Sequence, residues 1–244
     1  MKNFWKISAV ILVVVGVISA LTFAIINNDK YRDVRYGIAE PSSDNGNIGD
    51  HVKGSSDAKV IVFEYADFQC SACASMNTKI NKAVEALNGQ VAVVYRNYIL
   101  SYHQNGTAAA SAAEAAGLQG YWKAYGDKLF ERQDEWFYDD AAARVKHFTQ
   151  YFEEVTNGEG DVDKFIDDMS SKNVSRKIKF DMAIGNQIEI PGTPALFIDG
   201  QFISWSTAGS VIVNGKKIAW DSSRGTESGI LELFTEFLNA KLGE

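Results

Sequence analysis

Cysteine is almost absent from this chain: 244 residues carry two, Cys70 and Cys73. A structural disulfide between positions so close would close almost no loop and would stabilise little. Histidine is nearly as scarce, with three. His51, His103 and His147 stand at no ligand-like spacing to one another or to the cysteines, which argues against zinc, an ion that needs about four ligands. Three prolines against 20 glycines leave little room for a low-complexity region. Positive charge is in deficit, with 24 Lys and Arg against 31 Asp and Glu and a net charge of −7. That balance argues against a nucleic-acid binder, which needs a basic face. There is no block of like charges, no internal repeat, and no cysteine near the N-terminus that would take a lipid.

What is present begins with topology. Lys2 and Lys6 precede Ile7–Ile26, a run without a charge. As a helix rising about 1.5 Å per residue it just covers a hydrocarbon core of about 30 Å. A cleaved signal peptide has a shorter apolar run, of about 7–15 residues, and here the run continues past Ser19-Ala20 through Leu21, Phe23 and Ile26. The stretch reads as a signal anchor with residues 1–6 in the cytoplasm; a cleaved signal is the other reading. Either one exports the remainder to a compartment where disulfides persist. Residues 27–57 are polar and read as a tether, with His51-Val52-Lys53 as a possible edge strand at its end.

Residues 58–102 read as a strand–helix–strand unit. Val60-Ile61-Val62-Phe63-Glu64-Tyr65-Ala66 and Val91-Ala92-Val93-Val94-Tyr95 are apolar runs suited to strands buried on both faces. Between them Met76, Ile80, Val84 and Leu87 recur at helical spacing, and Asn88-Gly89 ends the helix. Cys70 falls at the helix start, where open N–H groups and the helix dipole favour a thiolate. Cys73 lies one turn further on and can attack a mixed disulfide formed by Cys70. A redox pair is the leading reading of the two thiols, beside two inert buried cysteines. Glu64, inside a buried strand, would have a raised pKa and could exchange protons with a thiol; at a strand edge it would be merely solvated.

Residues 103–187 read as helical. They hold the alanine-rich stretch 108–116 and an aromatic group, Trp122, Tyr125, Phe130, Trp136, Phe137 and Tyr138, expected as core rather than as a peptide-binding surface. His103 follows the second strand, which could bring it near the thiols; a surface or capping role is the leading expectation. From 188 to 244 the strand signal returns. Thr193-Pro194 is a candidate cis step before Ala195-Leu196-Phe197-Ile198, and Asp199-Gly200 predicts a type I′ hairpin. A further hairpin is expected near 211–220, about Asn214-Gly215, as a structural addition. Ile230, Phe234, Phe237 and Leu238 stripe a closing helix.

The order of these features, Asp67-Phe68-Gln69-Cys70-Ser71-Ala72-Cys73, a helical insertion and then Gly192-Thr193-Pro194, resembles the DsbA-like thiol–disulfide oxidoreductases of the thioredoxin superfamily, in their membrane-anchored form. The resemblance implies a thioredoxin-like α/β fold with an inserted helical subdomain. It implies Cys70 as the attacking and Cys73 as the resolving cysteine, and Pro194 cis and facing them. It also implies that the Thr193 backbone pairs with an extended substrate and that Glu64 stands in the place of the family's buried acid. The implied activity is disulfide transfer to reduced exported proteins. No cofactor is implied, and reoxidation would fall to a quinone-linked membrane partner of the DsbB or vitamin-K-epoxide-reductase-like (VKOR-like) type. Strongly oxidising members carry Pro-His between the cysteines, whereas this chain has Ser71-Ala72, so a reductase or isomerase remains the alternative within the same chemistry. A thioredoxin-fold binding module without catalysis is the alternative outside it.

Overall fold

The computed structural model describes residues 15, 31–204 and 208–243. Of the expected anchor, 7–26, all but Val15 lies outside the described residues; among these, no helix is long and apolar enough to cross a membrane. Residues 31–37, turns and bends, belong to a unit separate from the compact body that starts at Ile38.

The body is built on a five-stranded sheet. Its strands are β1 (His51–Lys53), β2 (Val60–Ala66), β3 (Val91–Asn97), β4 (Ala195–Ile198) and β5 (Gln201–Ile203), in the order β1-β3-β2-β4-β5. β2 and β3 are parallel and joined through helix α1 (Ser71–Ala86), and the other pairings are antiparallel. Between β3 and β4 the chain forms α2 (Gly106–Gly117), α3 (Trp122–Glu131), α4 (Gln133–Trp136), α5 (Ala141–Thr156), α6 (Val162–Met169) and α7 (Lys172–Gln187). β6 (Gly209–Val213) and β7 (Lys216–Trp220) pair as a separate hairpin, and α8 (Glu227–Leu242) closes the fold.

Local chemistry accounts for the boundaries. Asn88 and Gly89, at φ 45° and 78°, end the turn after α1 in a conformation that other residues resist. Asp140, Asp161 and Ser171 cap α5, α6 and α7 by accepting from open backbone N–H groups. Asp199 and Gly200 both have positive φ, as a type I′ turn requires. α2 is rich in alanine, so it fits closely among neighbours with Ala109, Ala110, Ala112, Ala113, Ala115 and Ala116 all buried.

Strand alternation divides the sheet chemically. Val60, Val62 and Glu64 share one face with their cross-strand partners Val91, Val93 and Tyr95, and with Leu196 and Ile198. α1 and α8 contribute Met76, Ile80, Ile230, Leu233, Phe234 and Phe237 to the core on that face. Fully burying each such side chain is worth about 1.5–3 kcal/mol. The β1 register, His51 opposite Tyr95 and Lys53 opposite Val93, adds two basic side chains to the same face. Phe63, Tyr65, Arg96 and Phe197 occupy the other face.

The expected tether of 27–57 extends too far. From Ile38 the chain belongs to the compact body, and Ala39, Asn45 and Ile48 are buried. The reason is long-range charge pairing. Asp50 is fully buried, 2.6 Å from Arg96 Nη2 and 2.9 Å from Lys177 Nζ, and Lys177 also meets Asp181 at 2.7 Å. Burial alone would raise the Asp50 pKa; Lys177 and Arg96 overcome it and hold the carboxyl well below the usual range. The group joins the entering segment, β3 and α7. The aromatic group also divides: Trp122, Tyr125, Phe130 and Trp136 are buried, whereas Tyr138 is 92% exposed.

Removing one member of such a group leaves an unpaired buried charge, a loss of about 3–5 kcal/mol. Lys177→Met should lower the unfolding free energy in urea by about that amount. A loss below about 1 kcal/mol would show that the group contributes no more than a surface pair.

Candidate active site

Cys70 is the N-cap of α1, with φ −80° and ψ 118°, and its carbonyl accepts from Ala74 N–H at 3.1 Å. The preceding turn is anchored through Asp67. Its carbonyl accepts from Cys70 N–H at 3.0 Å. Its carboxylate accepts from the N–H groups of Gln69 and Leu100, each at 2.9 Å, and lies 2.7 Å from His103 Nδ1. The surface or capping role expected of His103 is thus corrected: the ring is an anchor of the cysteine-bearing turn. Gln69 ties that turn to the helical block, donating to the Phe137 carbonyl at 2.8 Å and accepting from Asn105 N–H at 2.6 Å. Gln133 donates to the Phe68 carbonyl at 2.6 Å.

Cys70 and Cys73 are free thiols with opposite proton affinities. Cys70 is lowered from 9.0 to about 5. A hydrogen bond from the Cys73 thiol is the chief cause. Burial opposes it, and the Thr193 hydroxyl and the N–H groups of Cys73 and Ala72 assist. The thiol form can instead donate to the Thr193 carbonyl at 3.4 Å, which favours protonation. Several donors serve the thiolate against this one long acceptor contact, so the anion prevails. The Thr193 hydroxyl is buried and has no hydrogen-bond partner among the described residues, which leaves it free to turn towards a Cys70 thiolate. Cys73 has no exposed surface, and burial raises its pKa well above 9.0.

The Thr193–Pro194 peptide is cis and places Thr193 against Cys70. Beside it lies a groove of about 490 Å³. Its walls include Ala72, Met76 and Lys79 of α1, the Pro191–Pro194 loop, and Phe202 and Ile203 of β5. Glu64 is 1% exposed, which sets aside the solvated reading, and burial raises its pKa. Neither of its carboxyl oxygens has a hydrogen-bond partner among the described residues. Cys73 and Glu64 are within electrostatic range of one another. The structure therefore brings Cys70, 8% exposed, to the Thr193–Pro194 step, and the fully buried Cys73 towards Glu64.

The histidines do not join this site as ligands. His51 pairs with Glu114 at 2.7 Å and His147 with Asp139 at 2.7 Å. Among the described residues, no three His, Cys, Asp or Glu side chains cluster as metal ligands would. Sequence reasoning missed the Asp67–His103 anchor and the Gln69 bridge. It also missed Lys53, although the period of two along β1 already puts His51 and Lys53 on one face.

The family model described as thioredoxin matches residues 46–210, more than half of the chain. Among curated proteins, the chain is similar to a Na(+)/H(+) antiporter NhaA of Herminiimonas arsenicoxydans, 30% identical over 152 residues. That match covers 62% of this chain but 22% of the antiporter, so the chain spans about a fifth of the length of such relatives. Among solved structures it is similar to oxidised BdbD from Bacillus subtilis, with a TM-score of 0.59 and 17% identity, over 85% of this chain and 98% of that one. It is also similar to the thiol-disulfide exchange protein alpha-DsbA2 from Wolbachia pipientis, with a TM-score of 0.57 and 16% identity, over 73% and 86%. At these identities the structural matches show a shared fold.

The reduced protein should show a thiolate absorbance at 240 nm that titrates near pH 5 and belongs to Cys70, with Cys73 silent below pH 9. Because the folded pKa is depressed, the thiolate's contribution to stability is complete above about 9 and is lost as pH falls through about 5. Thr193→Val removes one donor and should move the midpoint upward. An ordinary midpoint in the unsubstituted protein would contradict this account of Cys70.

Proposed function

The chain belongs to the thioredoxin family, and we propose that it is an exported, membrane-anchored thiol–disulfide oxidoreductase that gives its Cys70–Cys73 disulfide to reduced proteins. One observation carries the reading: Cys70, at the N-cap of α1 against Thr193, favours a thiolate, while Cys73, fully buried one turn on, favours a thiol. In the first step a substrate thiolate attacks Cys70 Sγ, and the Cys70–Cys73 bond breaks. Cys73 leaves with the electron pair and takes a proton, for which Glu64 is the nearby acid. In the second step another substrate thiolate attacks the substrate sulfur of the mixed disulfide. Cys70 departs as a stabilised thiolate, the substrate is oxidised by two electrons, and the enzyme pair is reduced.

The magnitude favours donation of the disulfide. At pH 7 a thiolate with a pKa near 5 rather than 9 stabilises the reduced form by about 3 kcal/mol. For a two-electron couple that is roughly 60 mV in the oxidising direction. The groove beside Thr193 offers backbone groups and apolar walls to an extended chain, a mode of binding with little sequence demand. Reoxidation is assigned to a quinone-linked membrane partner of the DsbB or VKOR-like type, and the run 7–26 would hold the enzyme at that membrane. Ser71-Ala72 supplies no histidine to the thiolate; this is the observation on the side of a reductase or isomerase.

A Cys73→Ser variant should accumulate mixed disulfides between Cys70 and exported proteins, seen as reductant-sensitive bands on non-reducing gels. Cys70→Ser should abolish them. Failure of Cys73→Ser to trap any partner would favour a binding module over an enzyme.

A further inference from the structure

Glu64 is a carboxyl without a hydrogen bond among the described residues, on a face that also buries a lysine. Lys53, 2% exposed, lies on that same face of the sheet, yet its side-chain nitrogen donates to the Asn77 side-chain oxygen on α1 rather than to Glu64. The reason lies one contact further out. The Asn77 amide nitrogen donates to Asp127 Oδ1 of α3 at 2.9 Å, as does the Asn81 amide nitrogen at 2.9 Å. A carboxylate only accepts, so Asp127 fixes which end of the Asn77 amide faces inward. The oxygen must point at Lys53. Asp127 Oδ2 meets Lys123 at 2.8 Å, and the chain of contacts ends at the surface in a cleft of about 340 Å³ between α1 and α3.

We infer that Asp127 is a positioning residue for proton transfer at Cys73: by orienting the Asn77 amide it holds Lys53 off Glu64 and leaves the Glu64 carboxyl free to protonate the departing sulfur. The inference rests on the proposed role of Glu64 as that acid. The groups that face Glu64 electrostatically are Lys53 from β1, Cys73 from α1, Tyr95 from β3 and Asp127 from α3. Lys123 acts on Lys53 from the same helix as Asp127. The negative charge of Asp127 acts in the same sense as its hydrogen bonds, since it disfavours ionisation of Glu64. If the Asn77 oxygen is withdrawn, Lys53 can turn to Glu64, the acid that acts on it most strongly, and the ion pair so formed strips the acid of its proton at neutral pH. The helical block thereby tunes a step performed under the sheet.

The test is the rate at which dithiothreitol opens the Cys70–Cys73 disulfide, followed by stopped-flow fluorescence across pH and expressed per dithiothreitol thiolate. In the unsubstituted protein this rate should fall above the Glu64 midpoint, and Glu64→Gln should remove the break. Asp127→Asn preserves shape and removes charge; Asn77→Leu cuts the link and keeps the charge. Each should move the break down by about one pH unit and slow opening by about tenfold above both midpoints. The alkylation midpoint of Cys70 should stay where it is. If Glu64→Gln removes the break but either of the other variants leaves it in place, the role of Asp127 is overturned and that of Glu64 stands. A break that survives Glu64→Gln overturns the acid role itself, and the inference with it.

Discussion

Two sulfurs three residues apart have opposite proton affinities, and the rest of the structure is arranged around that difference. Cys70 sits where a helix has backbone N–H groups to spare, and a negative charge is welcome there. Cys73 sits one turn deeper against an apolar sheet face, where charge is expelled. The cysteines supply part of this difference themselves, through the hydrogen bond from the Cys73 thiol to Cys70, and the fold supplies the rest of each environment. The first needs the turn before α1 to end with Cys70 as N-cap, which Asp67 enforces from both its backbone and its side chain. The second needs α1 seated on the sheet, which Met76 and Ile80 secure beside α8.

The sheet separates two kinds of buried charge. On one face Asp50, Arg96, Lys177 and Asp181 form a balanced group that joins the entering segment to β3 and α7. That arrangement is structural, with each charge answered by an opposite one. On the other face Glu64 and Lys53 share one apolar environment without a hydrogen bond between them. Burial raises the pKa of the acid and lowers that of the amine, so both tend to the neutral form. A protein that spends stability in this way keeps a proton available, and the sulfur in range of it is Cys73.

Much of this was legible in the sequence, for identifiable reasons. The apolar runs of β2 and β3, the turn residues Asn88-Gly89 and Asp199-Gly200, and the stripe of α8 each announce an element through local pattern alone. The two cysteines announce the chemistry by being the only pair. What the sequence did not disclose depends on contacts across long separations. Asp50 looks like one more polar residue of a tether until Lys177 and Arg96 meet it. His103 looks like a loop residue until Asp67 is beside it. Asp127 lies 63 positions after Glu64 in the numbering, and nothing local connects a surface helix to the acid beneath the sheet. Tyr138 shows the converse, an aromatic residue counted with the core that the fold leaves in solvent.

The direction of electron flow is the claim on which the account stands, because the same cysteines in the same fold can give or take a disulfide. Thiolate stabilisation at Cys70 argues for giving, and the missing histidine between the cysteines argues against. Equilibrating the protein with glutathione at pH 7 and quantifying the Cys70–Cys73 disulfide weighs the two directly. A disulfide donor built as described should lie on the oxidising side of thioredoxin by roughly 60 mV or more, towards the DsbA value of about −120 mV. A value near that of thioredoxin, about −270 mV, would contradict it and make the enzyme a reductase.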